Sequence, residues 1–157
     1  MQNILVMRHG NASQLPGQSD WDREISVLGK MEIEKSASEL KERNLKPDLV
    51  LVSPIKRAQQ TFEILQSHFK TNLTKYDSNA LIYTAPLSGI LSELEAYDES
   101  SILLIGHQPL LGDFIHHSLS KRMMVEVPTA SVTSLVFPAG FKSGKAKVEW
   151  QILPGHL

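Results

Sequence analysis

Short, wholly apolar runs alternate along this chain with segments of helical spacing. The runs cover residues 4–7, 49–52, 102–105 and, more weakly, 80–83. Runs of this length without charged residues are typical of strands buried on both faces of a parallel sheet. Because each run is followed by apolar residues recurring every three or four positions, the pattern predicts strands alternating with helices that cover both sheet faces.

Four helices are therefore predicted, one behind each strand. Their apolar faces comprise Gly29, Ile33, Ala37 and Leu40; Ala58, Thr61, Phe62, Leu65 and Phe69; Leu87, Ile90, Leu91 and Leu94; and Leu111, Phe114 and Ile115. The second helix is predicted to begin at Ser53 and Pro54, as N-cap and first helical residue. Pro86 and Pro109 precede the third and fourth helices.

The last 26 residues favour a different arrangement. An apolar run over 132–137 is followed by a loop containing proline and glycine (138–144) and by alternating apolar and polar residues over 146–152. This pattern predicts an antiparallel hairpin added to the sheet. With no internal repeat or linker, we expect one domain over residues 1–157: a three-layer αβα sandwich with a mainly parallel sheet and a C-terminal antiparallel hairpin.

Composition excludes several classes of function. The net charge of -1 gives no sign of a general nucleic-acid or membrane-surface binder, so an anion site would have to be a local pocket. The absence of cysteine excludes disulfides, thiolate metal sites and a cysteine nucleophile. The first apolar run is too short for a signal-peptide core, and no run could span a bilayer. We expect a cytoplasmic protein.

Unusual polar residues follow three of the predicted strands. Arg8, His9 and Gly10 follow the first, residues 53–57 (SPIKR) the second, and residues 106–109 (GHQP) the fourth. Ligands of open α/β sheets bind beyond the carboxyl ends of the strands. If these strands are parallel neighbours, two arginines and two histidines meet at one edge.

Arg57 has the clearest local indication of function. It lies in the first turn of a predicted helix, where the helix dipole disfavours a cation. Helical side chains lean toward the N-terminus, so Arg57 should reach back over the strand ends. An oxyanion there would bind both the helix N–H groups and the guanidinium, and phosphate fits best.

These residues suggest a covalent mechanism. A neutral His9 could attack phosphorus and form a phosphohistidine that water later cleaves, with Arg8 and Arg57 holding the phosphoryl oxygens. His9 would need its Nδ1–H bound to an acceptor, and we expect Gly10 to permit a sharp turn that brings a backbone carbonyl within reach. His107, if protonated, would be a further donor.

The chain also resembles the histidine phosphatase superfamily, and within it the short bacterial phosphohistidine phosphatases of the SixA type. The stretches that carry the resemblance occur in the family's order: MRHGNA (7–12), DREISVLGK (22–30), LVSPIKRAQQT (51–61), LLIGHQPLL (103–111) and VPTASVTSL (127–135). The resemblance spans nearly the whole chain and implies a phosphoglycerate mutase-like fold.

The resemblance implies a role for each matching residue. It makes His9 the phosphoryl acceptor and places Arg8, Arg57 and His107 in the phosphate pocket, with Arg23 near the phosphate. It implies no metal and no organic cofactor. The implied substrate is a phosphorylated histidine-containing phosphotransfer domain of a sensor kinase, and we expect the enzyme to be a monomer.

A missing acid separates this chain from the larger phosphomonoesterases of the family. The segment 75–89 contains one acid, Asp77, which we expect to face solvent. Phosphohistidine has less need of an acid, because its ring nitrogen can already be protonated when the P–N bond breaks. A small-molecule phosphomonoesterase and a non-catalytic phosphate-binding module remain as alternatives.

Other interpretations of these residues are structural. Arg8 could pair with Glu126, Arg57 with Glu24 at the surface, and His107 could be a hydrogen-bonded core residue. His116 and His117 lack the partner spacing of a metal site. The lysines over 142–147 are expected at a solvated hairpin tip, where a basic loop near the site could help to hold an acidic partner.

Overall fold

Strands and helices alternate through most of the chain. The computed structural model describes residues 1–142 and 144–157. In these residues the strands are β1 (Gln2–Arg8), β2 (Leu49–Val52), β3 (Lys75–Asp77), β4 (Ser101–Gly106), β5 (Val132–Phe137) and β6 (Lys147–Ile152). The helices are α1 (Val27–Glu42), α2 (Lys56–Gln66), α3 (Leu87–Leu94) and α4 (Leu110–Ser118), with 3₁₀ turns at Asp20–Asp22, Asn79–Leu81 and Pro154–His156.

The strands form one mixed sheet in the order β3-β2-β4-β1-β5-β6. The first four strands in that order run parallel, whereas β5 is antiparallel to β1 and β6 to β5. The register places Arg8 beside Gly106 and Val52 beside Ile105. Residues that follow β1, β2 and β4 therefore lie side by side at the carboxyl ends of the strands. The predicted fold class is confirmed.

Each face of the sheet has its own apolar core. On one face, side chains of α1 and α2 such as Ile33, Leu40 and Leu65 pack on the strands. On the other, α3 and α4 contribute Ile90, Leu94, Leu111 and Phe114. The two helical layers explain why the central strands are apolar on both sides: β2 is buried at all four positions.

The fourth parallel strand is not where the apolar pattern predicted it. Residues 80–83 do not form a strand; Leu81 ends a 3₁₀ turn and is buried in the α3/α4 core. The parallel strand is β3, which pairs with β2 at the sheet edge and exposes Tyr76 and Asp77. An edge strand of three residues needs little apolar character, so the apolar pattern missed it.

The start of α2 also differs from the prediction. The helix begins at Lys56 with Ile55 as N-cap, rather than at Ser53 and Pro54, and Phe69 lies beyond its last turn. Ser53 Oγ accepts a hydrogen bond from the Ile55 N–H and contacts His107. Its hydroxyl is therefore engaged at the strand ends rather than in a helix cap.

The loop of the C-terminal hairpin lies at the opposite end of the strands from the catalytic candidates. Val132 pairs with Met7 near the end of β1, whereas Phe137 pairs with Gln2 at its beginning. The chain therefore leaves β5 at the end of the strands that is remote from His9. A basic loop near the site is thus ruled out for the described residues of 142–147. Ser143, within the predicted loop, lies outside the described residues. In the described part of the chain, no helix has the length and apolar character needed to cross a membrane.

Candidate active site

Four of the residues singled out from the sequence meet at one edge of the sheet. Arg8 ends β1 and His9 follows it, Arg57 lies in the first turn of α2, and His107 follows β4. The His9 and His107 ring centroids are 5.1 Å apart, and Arg57 Nε lies 3.3 Å from His9 Nε2. Arg23 joins this group through an acidic residue described below.

Both nitrogens of the His9 ring have a defined partner. Nδ1 lies 2.6 Å from the Gly10 carbonyl oxygen, and Nε2 faces the Arg57 Nε–H. A carbonyl only accepts and a guanidinium only donates, so the ring carries its proton on Nδ1 and a lone pair on Nε2. Burial, together with the charges of Arg57, Arg8 and Arg23, lowers the pKa of His9 to about 4, although the bond to Gly10 opposes this. His9 is a neutral, 6% exposed imidazole at pH 7.

Gly10 is needed for close packing rather than for the sharp turn expected from the sequence. Its φ is not in the left-handed region. A Cβ at Gly10 would lie 2.6 Å from Ile33 Cδ1 and 2.9 Å from the Gly29 carbonyl oxygen. The Gly10 N–H donates to Thr61 Oγ1, whose hydroxyl donates to the Arg57 carbonyl. The glycine thus lets the His9 loop pack against α1 while it is bonded to α2.

Arg57 is 4% exposed and uses all three parts of its guanidinium. Besides the bond from Nε to His9, Nη1 donates to the Asp20 carbonyl oxygen at 2.7 Å and Nη2 to Asp20 Oδ2 at 3.2 Å. The expected reach over the strand ends is thus observed. The alternative pairing with Glu24 is wrong, because Glu24 pairs with Lys56 at 2.8 Å.

Asp20 is the site residue that sequence reasoning missed. Its carboxylate bridges Arg57 and Arg23, the latter through Oδ1 at 3.3 Å. Burial raises the pKa of Asp20, but the Arg57 charge and hydrogen bonds from Arg57, Tyr83 and Arg23 outweigh it, so the pKa is lowered overall. The sequence feature that could have indicated Asp20 is the segment SDWDRE (19–24), in which acidic residues lie next to an arginine in a loop that follows His9.

Arg23 is held by its own loop. Its Nε donates to the Ser13 carbonyl oxygen at 3.2 Å and Nη2 to that of Ala12 at 3.1 Å, while Nη1 contacts Asp20. It therefore lies next to Arg57 with Asp20 between them. Its positive charge contributes to lowering the pKa of His9.

Arg8 is anchored by a backbone carbonyl rather than by Glu126. Its Nη1 donates to the Val127 carbonyl oxygen at 3.2 Å, and its buried Nε has no hydrogen-bond partner among the residues that the structure describes. Burial lowers the pKa of Arg8, and the charge of Glu32 partly opposes this. Glu32 itself accepts from the Asn11 N–H and the Thr129 hydroxyl, both at 2.9 Å. The Glu32 carboxylate thus joins the segment at Asn11 and the segment at Thr129, which lie on either side of Arg8.

His107 is neutral rather than protonated. Burial, with the influence of His9 and the charge of Arg57, lowers the pKa of His107 to about 3. Its Nε2 lies 2.8 Å from Ser53 Oγ, and its buried Nδ1 has no hydrogen-bond partner within residues 1–142 and 144–157. Because Ser53 Oγ accepts from the Ile55 N–H, its own hydroxyl is free to donate to Nε2. That assignment places the His107 proton on Nδ1, so the ring can donate without an extra charge.

The other polar residues considered from the sequence do not add to this group. Asp77 is exposed and bonded to Lys75 and Gln59, which lower its pKa and make it a poor acid. Among residues 1–142 and 144–157, no cluster of three or more histidine, aspartate or glutamate side chains could hold a metal ion. His116 and His117 therefore form no such site.

The group opens to solvent through a cavity of about 330 Å³. Asp20, Arg57, Tyr83 and Gln108 line it. The Tyr83 ring packs edge-on to His107 at 5.7 Å and lies beneath the Arg57 guanidinium at 5.8 Å. A neutral imidazole with its lone pair on Nε2, next to cationic hydrogen-bond donors, is suited to accept a phosphoryl group.

Comparison with known proteins agrees with this geometry. The profile of the histidine phosphatase superfamily (branch 1) matches residues 4–78, which include His9 and Arg57. The phosphohistidine phosphatase SixA of Escherichia coli (strain K12) is 28% identical over 162 residues, covering 98% of this chain and 95% of the relative. The chain belongs to the histidine phosphatase superfamily.

Two further relatives support the membership. The phosphohistidine phosphatase SixA homolog of Haemophilus influenzae is 27% identical over 147 residues, covering 86% of this chain and 88% of the homolog. The structure of the protein histidine phosphatase SixA complexed with tungstate covers 99% of each chain with a TM-score of 0.88 and 25% identity. This histidine phosphatase is therefore an enzyme of the hydrolase class with the phosphoglycerate mutase-like fold.

Proposed function

We propose that this enzyme is a phosphohistidine phosphatase in which His9 Nε2 accepts the phosphoryl group. The observation that carries the proposal is the fixed tautomer of His9: Nδ1–H is bound to the Gly10 carbonyl at 2.6 Å, which leaves the lone pair on Nε2. The relatives named as phosphohistidine phosphatases support the substrate class.

The reaction has two steps. The Nε2 lone pair attacks phosphorus, and the P–N bond to the substrate histidine breaks with its electron pair going to the leaving nitrogen. The substrate ring is protonated on its other nitrogen, so it leaves as a neutral imidazole. Water then attacks the phosphoryl group on His9, the new P–N bond breaks, and the water proton is released with hydrogen phosphate or to solvent. His9 returns to its starting tautomer.

The cationic residues stabilise the charge on the transferred group. Arg57 and Arg8 donate charge-assisted hydrogen bonds to phosphoryl oxygens, and the Nδ1–H of neutral His107 is a further donor. Arg8 Nε and His107 Nδ1 support these roles, because both are buried without a hydrogen-bond partner in the described part of the chain, and buried donors normally find an acceptor. Arg23 contributes through its charge and through Asp20. The tungstate bound to the related SixA protein is an oxyanion of similar shape to phosphate.

The proposed substrate is a phosphorylated histidine-containing phosphotransfer domain of a sensor kinase. An imidazole displayed on a helix could enter the open cavity beside Arg57, which is lined by Tyr83 and Gln108. Such a partner would place the enzyme in the cytoplasm, and we propose that it acts as a monomer without metal or organic cofactor.

The direct test is phosphate release from a phosphotransfer domain phosphorylated on histidine. We expect the wild-type enzyme to release phosphate from it in preference to small phosphomonoesters, and His9→Ala to be inactive on both. Activity of His9→Ala would contradict the nucleophile assignment. Preference for the monoesters would favour a phosphomonoesterase, and absence of all turnover would favour a phosphate-binding module.

A further inference from the structure

The cavity mouth carries an acid, Asp20, that has no direct contact with the substrate in the proposed phosphoryl transfer. We propose that Asp20 selects the leaving group: its carboxylate accepts a hydrogen bond from the ring N–H of the departing imidazole and disfavours esters whose leaving group carries a further negative charge, such as a carboxylate. This inference rests on the proposed function and goes beyond it, because it assigns substrate discrimination to one residue.

Asp20 and His9 lie on different sides of the Arg57 guanidinium. Arg57 separates them: its Nε faces His9 Nε2, whereas Nη1 and Nη2 face Asp20. In an in-line displacement the nucleophile and the leaving group lie on opposite sides of phosphorus. A phosphoryl group held by Arg57 and attacked by His9 therefore has its leaving group on the Asp20 side.

The cavity gives the same orientation. Asp20, with Arg57, Tyr83 and Gln108, lines the opening through which a substrate side chain enters. The Asp20 side chain is 42% exposed despite its two arginine partners, whereas that of Arg57 is 5% exposed. Part of the carboxylate therefore faces the space that the leaving group occupies and can accept a further hydrogen bond.

The protonation state of Asp20 decides which leaving group it can assist. Arg57, Tyr83 and Arg23 lower its pKa, so at neutral pH it is an acceptor without a proton to give. An alkoxide leaving group needs a proton donor, which an ionised carboxylate cannot supply. A phosphoimidazole protonated on its second nitrogen brings its own proton and presents an N–H, which the carboxylate can bind.

The experiment compares wild type with the isosteric variant Asp20→Asn. Phosphoimidazole serves as the substrate, and phosphoglycolate and phenyl phosphate serve as competing esters with and without an anion on the leaving group. Glu24→Gln is the matched control, because it removes an equal charge from the same loop at a residue paired with exposed Lys56. Circular dichroism verifies the fold of both variants.

We expect Asp20→Asn to lower kcat/KM for phosphoimidazole about tenfold or more, largely through kcat, since a hydrogen bond to a charged acceptor contributes more than one to a neutral amide. We also expect it to lower the Ki of phosphoglycolate relative to that of phenyl phosphate, whereas Glu24→Gln leaves that ratio within twofold. If both Ki values rise equally as phosphoimidazole turnover falls, Asp20 only positions Arg57 and the inference is wrong. Unchanged kinetics also contradict it.

Failure of the wild-type enzyme on phosphoimidazole and on the phosphorylated phosphotransfer domain would overturn the proposed function and this inference together. If the wild-type enzyme turns over both substrates and Asp20→Asn leaves the ratio of the two Ki values unchanged, the inference alone is overturned.

Discussion

The Nε–H of Arg57 donates a hydrogen bond to Nε2 of His9 across 3.3 Å. This bond and the contact of His9 Nδ1 with the Gly10 carbonyl require the same tautomer. In the proposed reaction the phosphoryl group takes the place of the Arg57 N–H at this lone pair. Arg57 therefore donates a hydrogen bond to the lone pair before the substrate binds, and in the proposed reaction it donates to a phosphoryl oxygen afterwards.

His9→Asn is expected to abolish turnover of phosphohistidine, because the amide has no nucleophilic lone pair on nitrogen. Wild-type enzyme quenched during turnover should carry a label from the phosphorylated substrate that is stable in alkali and lost in acid, as expected of a phosphoramidate. His116→Gln, at an exposed position of α4, is the control and should keep both turnover and label. A labelled His9→Asn protein would contradict the assignment.

Arg57→Lys is expected to lower kcat/KM by about 10²–10³, the range for loss of a preorganised oxyanion donor. A lysine cannot reproduce the three directed bonds to His9 and Asp20. Steady-state kinetics and the Ki of inorganic phosphate measure the effect. Lys56→Ala removes the adjacent exposed cation, which pairs with Glu24, and should change kcat/KM by less than about threefold, as surface ion pairs contribute little.

Gly29→Ala is expected to destabilise the fold although Gly29 lies within α1. A Cβ there would lie 2.0 Å from the Asn11 carbonyl oxygen. This backbone atom can move only together with the loop after β1 that carries His9. We expect a loss of about 2 kcal/mol or more in urea denaturation, against the roughly 1 kcal/mol that alanine gains over glycine in an open helix.

Gly89→Ala in α3 is the matched control for this substitution. Its Cβ would meet the Ala80 Cβ at 3.4 Å, which is an ordinary van der Waals contact. The free energy of unfolding should then rise by about 0.5–1 kcal/mol. Equal effects of the two substitutions would show that helix propensity, rather than the Asn11 contact, determines the result.

Glu32→Ala is expected to raise KM and lower kcat/KM about tenfold without removing any group that touches phosphate. Its carboxylate bonds the Asn11 N–H and the Thr129 hydroxyl, so its loss frees the two segments beside Arg8. Each lost bond to a charged acceptor is worth about 1.5–3 kcal/mol.

Rescue distinguishes this positioning role from simple destabilisation. Glu32→Gln keeps one acceptor oxygen and should recover much of kcat/KM, whereas Thr129→Val should reproduce part of the loss. If Glu32→Gln is as impaired as Glu32→Ala, the charge next to Arg8 is the decisive contribution instead.

The free energy of unfolding is expected to fall as the pH decreases from about 6.5, the ordinary histidine pKa, toward about 4. In this range unfolded histidines bind protons that buried His9 and His107 do not, so acid favours the unfolded state. Each pKa unit of difference corresponds to about 1.4 kcal/mol. Urea denaturation across this range measures the slope, which should be shallower in His107→Asn than in wild type.

Apolar periodicity identified the strands that are buried on both faces and the helices that bury one face against the sheet. β2 was predicted with its observed bounds, and Ile33, Ala37 and Leu40 are all buried on α1 as predicted. It failed for β3, which has a neighbour on one side only and little apolar surface to bury. The capping signal at Ser53 and Pro54 misplaced the start of α2, because the Ser53 hydroxyl contacts a histidine 54 residues away.

The sequence by itself determined which strands end in reactive side chains, because apolar periodicity and the residues that follow each run are local properties. It could not determine what those side chains do to one another. The carboxylate of Asp20 on Arg57 and the neutral state of His107 follow from burial and from charges brought together by the sheet order. Electrostatic interactions depend on distance and desolvation in space, and only the tertiary structure supplies both.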